Sequence, residues 1–186
     1  MPDISNKKIA ILATNGFEQS ELEHPRDALR NAGAEVHVIA PGGSEIRGWD
    51  EDDWGDKVNV DHTLDAVKSA DYDALVLPGG QINPDLLRVD EDAVRFVRSF
   101  WEAKKPIGAI CHAAWLLIEA EIVEGRELTS YHSVRTDVEN AGGNWRDEEV
   151  VVDQGLVTSR NPGDLEAFSA KLIEEISEGK HRDRAA

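Results

Sequence analysis

The chain has a single cysteine, Cys111, and it is followed directly by His112. A lone thiol is a candidate nucleophile where the fold exposes it and favours its ionised form. Pro106 to Ile110 is a short apolar run with the composition of a buried strand, and Ala113 to Ala120 has that of a packed helix. Cys111 therefore falls on a strand-to-helix turn. The small Ala109 and Ala113, two residues to either side, leave room for such a turn as the outer glycines do in G-x-S-x-G elbows. The start of a helix favours thiolate over thiol through its unpaired N–H groups and dipole. Spacing alone leaves two readings open, an exposed nucleophile and a buried core cysteine.

The elements that must present this turn follow an alternating pattern. Lys8 to Ala13 reads as a first strand, and Ser20 with Glu23 as a capping box opening a helix that runs to Ala32 and stops at Gly33. Pro25 inside it predicts a kink or a later start. Glu35 to Ala40 and Ala74 to Leu77 read as strands, the latter ended by Pro78-Gly79-Gly80. Between them, Ser44 to Asp56 shows no period and reads as a loop. Gln81 to Leu87 predicts a short helix. Glu91 to Ala103 predicts an amphipathic one, with Ala93, Val94, Val97 and Trp101 on one face. Beyond the cysteine, Glu127 to Ser130 reads as a strand and Val134 to Ala141 as a helix. Val150 to Val152 and Leu156 to Ser159 pair as a hairpin, and Asp164 to Ile176 forms a final helix. Strands alternating with helices give an α/β fold, a doubly wound, flavodoxin-like sandwich around a mostly parallel sheet, with loops at the strand carboxyl ends carrying the site.

The chain of 186 residues has the length of one domain, with a charged tail at 177–186. Its 37 acidic and 20 basic residues give a formal charge of −17, spread along the whole length. That field repels a phosphate backbone and argues against a stable nucleic-acid partner. No stretch resembles a signal peptide or a membrane span, and one cysteine cannot form an internal disulfide, so a soluble cytoplasmic protein is expected. Abundant acidic residues, with Arg outnumbering Lys, read as adaptation to high salt. His37, His62, His132 and His181 have no metal-ligand spacing with Cys111, and no metal or cofactor is expected. His24 reads as a surface residue. The tryptophans at 49, 54, 101, 115 and 145 offer an aromatic binding surface but read better as core or subunit-contact residues, Trp115 being closest to the site.

Several segments together resemble the DJ-1/PfpI family. They are Asn15-Gly16-Phe17-Glu18, Leu77-Pro78-Gly79-Gly80, Ala109-Ile110-Cys111-His112, Asp137 with Asn140-Ala141-Gly142, Glu149 to Asp153, and Thr158-Ser159-Arg160 with Pro162-Gly163-Asp164. They span nearly the whole chain in the family's order. The resemblance implies a Cys111 nucleophile and a protonated Glu18 that approaches it from the first loop. It also implies a triad role for His112, which by position alone is a poor base for its own neighbour. The acid that orients His112 would come from an adjacent subunit. Asp85 matches that position, where some relatives carry the longer Glu. A homo-oligomer, dimer or hexamer, follows from it. Backbone N–H groups of Gly80 and His112 would form the oxyanion hole.

The activity so implied is cysteine-dependent hydrolysis of peptide amides or of glycated, methylglyoxal-modified amines and thiols, in stress protection. A different class is also open: a redox sensor or stress chaperone without turnover, using an oxidisable Cys111. A glutamine amidotransferase shares the elbow but needs a downstream His-x-Glu pair that this chain lacks.

Overall fold

In the computed structural model, which describes residues 2–181, seven strands form the central sheet. In chain order the strands are β1 (Lys8–Leu12), β2 (Phe17–Glu18), β3 (Glu35–Ala40), β4 (Glu45–Asp50), β5 (Asp53–Asn59), β6 (His62–Thr63), β7 (Ala74–Leu77), β8 (Ile107–Ile110), β9 (Glu127–Leu128), β10 (Asn144–Trp145), β11 (Val151–Asp153) and β12 (Leu156–Ser159). The helices are α1 (Gln19–Asn31), α2 (Ile82–Leu87), α3 (Glu91–Glu102), α4 (Ala114–Glu119), α5 (Arg135–Asn140) and α6 (Leu165–Glu178). The sheet runs β11-β12-β8-β7-β1-β3-β6, parallel except for β11 against β12.

The core strands are apolar on both sides because both faces of the sheet are covered, as parallel sheets require. On β1, Ala10 and Leu12 point into one core with Phe96, Val97 and Phe100 of α3 and Leu116 and Leu117 of α4. Ile9 and Ile11 point into the other with Leu22 and Leu29 of α1 and Phe168, Leu172 and Ile176 of α6. The result is a doubly wound three-layer sandwich, as the alternation of strands and helices implies. The chain passes from β1 outward to β3, then returns to lay β7 on the other side of β1. This reversal opens a crevice at the carboxyl ends of the strands, the usual place for a ligand in such sheets. The loops leaving β1, β7 and β8 meet there.

Three local expectations are corrected. Helix α1 begins at Gln19 with Glu18 as its N-cap and no side-chain cap, so Ser20 and Glu23 lie inside the helix and form no capping box. Its entry is fixed from outside, by the Glu18 N–H donating to the Gly79 carbonyl at 3.3 Å and by the pairing of β2 with β4. Pro25 lies buried within the helix without delaying its start. The acidic stretch expected as a loop forms β4 and β5, an antiparallel hairpin that joins β2 in a separate sheet. Only Ile46, Gly48 and Val58 of it are buried, so it has no hydrophobic alternation to read; backbone pairing and a Trp49–Trp54 edge contact at 5.5 Å hold it. The charged tail begins later than 177, because α6 extends to Glu178; positions 182–186 lie outside the described residues. Among the described residues no helix is long and apolar enough to cross a membrane.

Candidate active site

Strand β8 ends at Ile110, and the next residue, Cys111, has a φ of 63°. A non-glycine residue in the left-handed region costs about 1–2 kcal/mol, so its surroundings must over-determine it. The Tyr131 N–H donates to the Cys111 carbonyl at 3.1 Å, and Ala113 and Ala114 pack behind the turn. Cys111 is only 6 % exposed, yet it lines a cavity of about 500 Å³ with Glu18, Glu21, Trp49, Glu51, Gly80, His112 and Tyr131 among its walls. The elbow exists as expected. Its thiol sits at the bottom of a pocket.

The carboxyl facing that thiol belongs to Glu21, which corrects the expectation of Glu18. Glu21 projects from the buried side of α1 and is 0 % exposed; its Oε2 accepts the Gly79 N–H at 2.9 Å. Its Oε1 has no hydrogen-bond partner of good geometry. Burial, and then the charge of Glu18, push Glu21 up to about 8 against the pull of Cys111 and the N–H groups of Gly79 and Gly80. A neutral acid beside the sulfur at pH 7 follows. Glu18 lies one turn earlier, half-buried in the wall, and its carboxyl is raised mainly by burial while it accepts the Glu51 N–H.

The thiol itself departs from the expected thiolate. Burial first, and Glu21 once it is ionised, hold Cys111 well above the usual thiol range, outweighing the N–H groups of Gly80 and His112 that favour the thiolate. Desolvation of an anion wins over the short helix behind it. A proton acceptor is at hand in His112, whose Nδ1 lies 3.0 Å from Sγ. Because Cys111 adopts the left-handed turn, the adjacent side chains converge instead of diverging. His112 is held by a ring stack on Tyr131 at 4.6 Å and an edge contact with Trp115 at 5.1 Å. Burial, with His132 adding a like charge, lowers it to about 4, so the ring is neutral and able to accept. Its Nε2 lies 3.4 Å from Ser133 Oγ.

Asp85 is exposed on α2 and does not line the cavity. Within one chain it is not brought to His112. The Gly80 and His112 N–H groups do face the sulfur from two loops. The loop that carries Gly80 is braced by Asn83, wholly buried, whose Nδ2 donates to the Pro78 carbonyl at 2.9 Å while its Oδ1 accepts the Thr14 N–H at 2.7 Å. Gly79 must be glycine for space: a Cβ there would lie 2.6 Å from the Cys111 Cβ and 2.5 Å from Glu21 Oε2.

Sequence reasoning missed Glu21, Asn83, Trp49, Glu51 and Tyr131. The signal for Glu21 was available, since it shares the buried face of α1 with Leu22, Pro25 and Leu29 at helical spacing. Trp49, grouped with core or subunit-contact residues, belongs to the cavity wall instead. His24 faces a separate groove between α1 and α6. His37 contacts Tyr72 and His62 at the sheet edge. Away from the cavity, Glu175, Glu178 and His181 bring ligand-type atoms within 4.8 Å of one another at the end of α6.

The sequence profile of the DJ-1/PfpI family matches residues 7–175. A relative from Escherichia coli (strain K12), "Protein/nucleic acid deglycase 2", is 45% identical over 170 residues, covering 90% of this chain and 96% of its own. YraA of Bacillus subtilis (strain 168), whose name carries a provisional cysteine-protease assignment, is 44% identical over 169 residues, covering 90% of this chain and 97% of its own. The crystal structure of Drosophila melanogaster DJ-1beta superposes with a TM-score of 0.82 at 31% identity, covering 92% of this chain and 90% of that one. The chain belongs to the DJ-1/PfpI family.

Proposed function

We propose that the protein is a cysteine-dependent hydrolase of carbonyl adducts and peptide amides, with Cys111 as nucleophile. The observation that carries the reading is a thiol on a left-handed turn, opening into a cavity, with a neutral imidazole 3.0 Å away and a buried carboxyl facing it. As Sγ adds to the substrate carbonyl carbon, the thiol proton passes to Nδ1 of His112. The C=O electron pair moves to oxygen, where the N–H groups of Gly80 and His112 would receive it. Glu21, protonated below about pH 8, supplies a proton to the departing or rearranging group.

For an amide, the amine leaves with that proton and water hydrolyses the thioester. For a methylglyoxal adduct, adduct plus water gives the free amine or thiol plus a 2-hydroxy acid. No outside oxidant is needed, because the aldehyde carbon is oxidised as the neighbouring ketone carbon is reduced. Names of relatives at 44% and 45% identity favour both substrate classes. In the assembled state, Asp85 of a second copy would approach Nε2 of His112, making oligomerisation a condition of full activity.

The test is turnover of a peptide amide and of a methylglyoxal hemithioacetal by the parent and by Cys111→Ser. Loss of 2-hydroxy acid or amine release in the variant supports the mechanism; unchanged turnover removes it. The redox-sensor reading is weakened by the same burial that holds the thiol protonated, since oxidation needs thiolate. Stoichiometric, stable oxygen addition at Cys111 under mild peroxide, without hydrolysis, would reinstate it.

A further inference from the structure

The cavity has an uneven distribution of charge. Its walls carry the carboxyls of Glu18, Glu21 and Glu51 and the rings of Trp49, His112 and Tyr131 and, among the described residues, no lysine or arginine. Glu51 is exposed at the tip of the β4–β5 hairpin, at a φ of 57°, in an acidic run with Asp50, Asp52 and Asp53. The tip is not free to swing away. The Trp49 indole donates to the Glu51 carbonyl at 2.9 Å, the Glu51 N–H favours the Glu18 carboxylate, and β2 pairs with β4, so hairpin and first loop form one continuous edge. The two basic residues of that hairpin are engaged elsewhere: Arg47 Nε donates to the Gly55 carbonyl at 3.0 Å with its guanidinium over Trp54, and Lys57 pairs with Glu45 at 2.7 Å.

An acidic edge alone is a solvated surface. Here it borders a pocket with a buried neutral acid inside it, whose Oε2 accepts the Gly79 N–H while Oε1 has no hydrogen-bond partner of good geometry. A buried hydroxyl in that condition calls for an acceptor on whatever occupies the cavity. The two observations ask for the same kind of molecule: one with a hydroxyl or carbonyl oxygen next to the reacting carbon and a positive charge several bonds further out. We propose that Glu18 and Glu51, with the Trp49 face between them, select cationic substrates, an ammonium or guanidinium held at the cavity mouth while the reactive carbonyl lies on Cys111. Trp49 contributes a ring face on which a cation can rest. Anionic substrates meet like charge and are excluded. This specificity rests on the hydrolase reading above for its chemistry, and on the pocket walls alone for its sign.

The test uses two hemithioacetals of methylglyoxal with the same reacting group and opposite charge, one made from cysteamine and one from mercaptopropionate. At low ionic strength, kcat/KM is expected to favour the ammonium compound by about tenfold. The preference should shrink several-fold at about 1 M salt, where the screening length falls to about 3 Å. In the double variant Glu18→Gln with Glu51→Gln the ratio should approach unity, through KM and not kcat. Equal kcat/KM for the two probes in the parent, or preference for the carboxylate, overturns the proposal. If neither probe turns over, the stable S-acetonyl thioethers of the same two thiols are titrated into Cys111→Ser by calorimetry. Tighter binding of the ammonium thioether keeps the specificity while the hydrolase reading fails; equal binding overturns the specificity as well.

Discussion

The floor and the rim of the cavity are built from the same residue type to opposite ends. On the floor, Glu21 is fully buried, fixed by the Gly79 N–H and raised to about 8. At the rim, Glu51 stands exposed on a hairpin tip. The floor is close-packed and excludes water, so a carboxyl there is kept neutral and acts on protons. The rim is hydrated, so a carboxylate there acts by its field. Position relative to water, more than residue identity, separates chemistry from recognition.

The sharpest way to break the contrast is to perturb packing on each side. Gly79→Ala inserts a methyl 2.6 Å from the Cys111 Cβ and 2.7 Å from the Ile110 carbonyl, with backbone on one side that cannot yield. We expect a loss of roughly 1–3 kcal/mol in urea denaturation and at least a hundredfold loss of turnover. Gly42→Ala, at an exposed site where an added Cβ meets nothing within 4 Å, serves as the comparison and should stay within about 0.5 kcal/mol. Equal effects would show that the floor is not close-packed.

Glu21→Gln tests the proton on the floor. The folded-state value of about 8 lies above the ordinary glutamate value of 4.5, so the native state binds this proton more tightly than the unfolded chain. The contribution is therefore complete below about pH 4.5 and is lost as pH rises through about 8. Between pH 5 and 9 the parent should lose up to roughly 4 kcal/mol relative to the Gln variant, read as diverging denaturation midpoints. Parallel pH profiles would place the carboxyl in contact with water and erase the distinction from the rim.

His112 gives a smaller shift. With its folded value at about 4, below 6.5, its share of stability is lost as pH falls from 6.5 through 4, and the acid limb of kcat/KM should lie near pH 4. Tyr131→Ala removes the stacked ring and admits water, which should move that limb toward pH 6. An unmoved limb would mean that another group sets it. Smallest of all, Glu51→Gln should alter folding stability by less than about 0.5 kcal/mol.

The same contrast governs what could be read from the chain. Strands β7 and β8 are buried from end to end, and runs such as Ala74 to Leu77 announce themselves by composition. The elbow was legible because apolar strand, lone cysteine and helix follow one another between Pro106 and Ala120. The β4–β5 hairpin was not, because its side chains mostly face water and its cohesion lies in backbone pairing that no side-chain period records. Glu21 was hidden by its neighbours: three acids lie within six positions, Glu18, Glu21 and Glu23, and only the burial phase of α1 singles out the middle one. The convergence of His112 on its own neighbour's sulfur depends on one backbone angle, which composition does not encode.

The position of the Gly80 amide has a last consequence, since it favours negative charge on the Glu21 carboxyl and on the Cys111 sulfur alike. One hydrogen cannot satisfy two anions at once, so negative charge on either partner withdraws support from the other. Ionisation of Glu21 near pH 8 therefore hardens the thiol against ionisation, and the alkylation rate of Cys111 should bend at the pH where the infrared band of the acid changes.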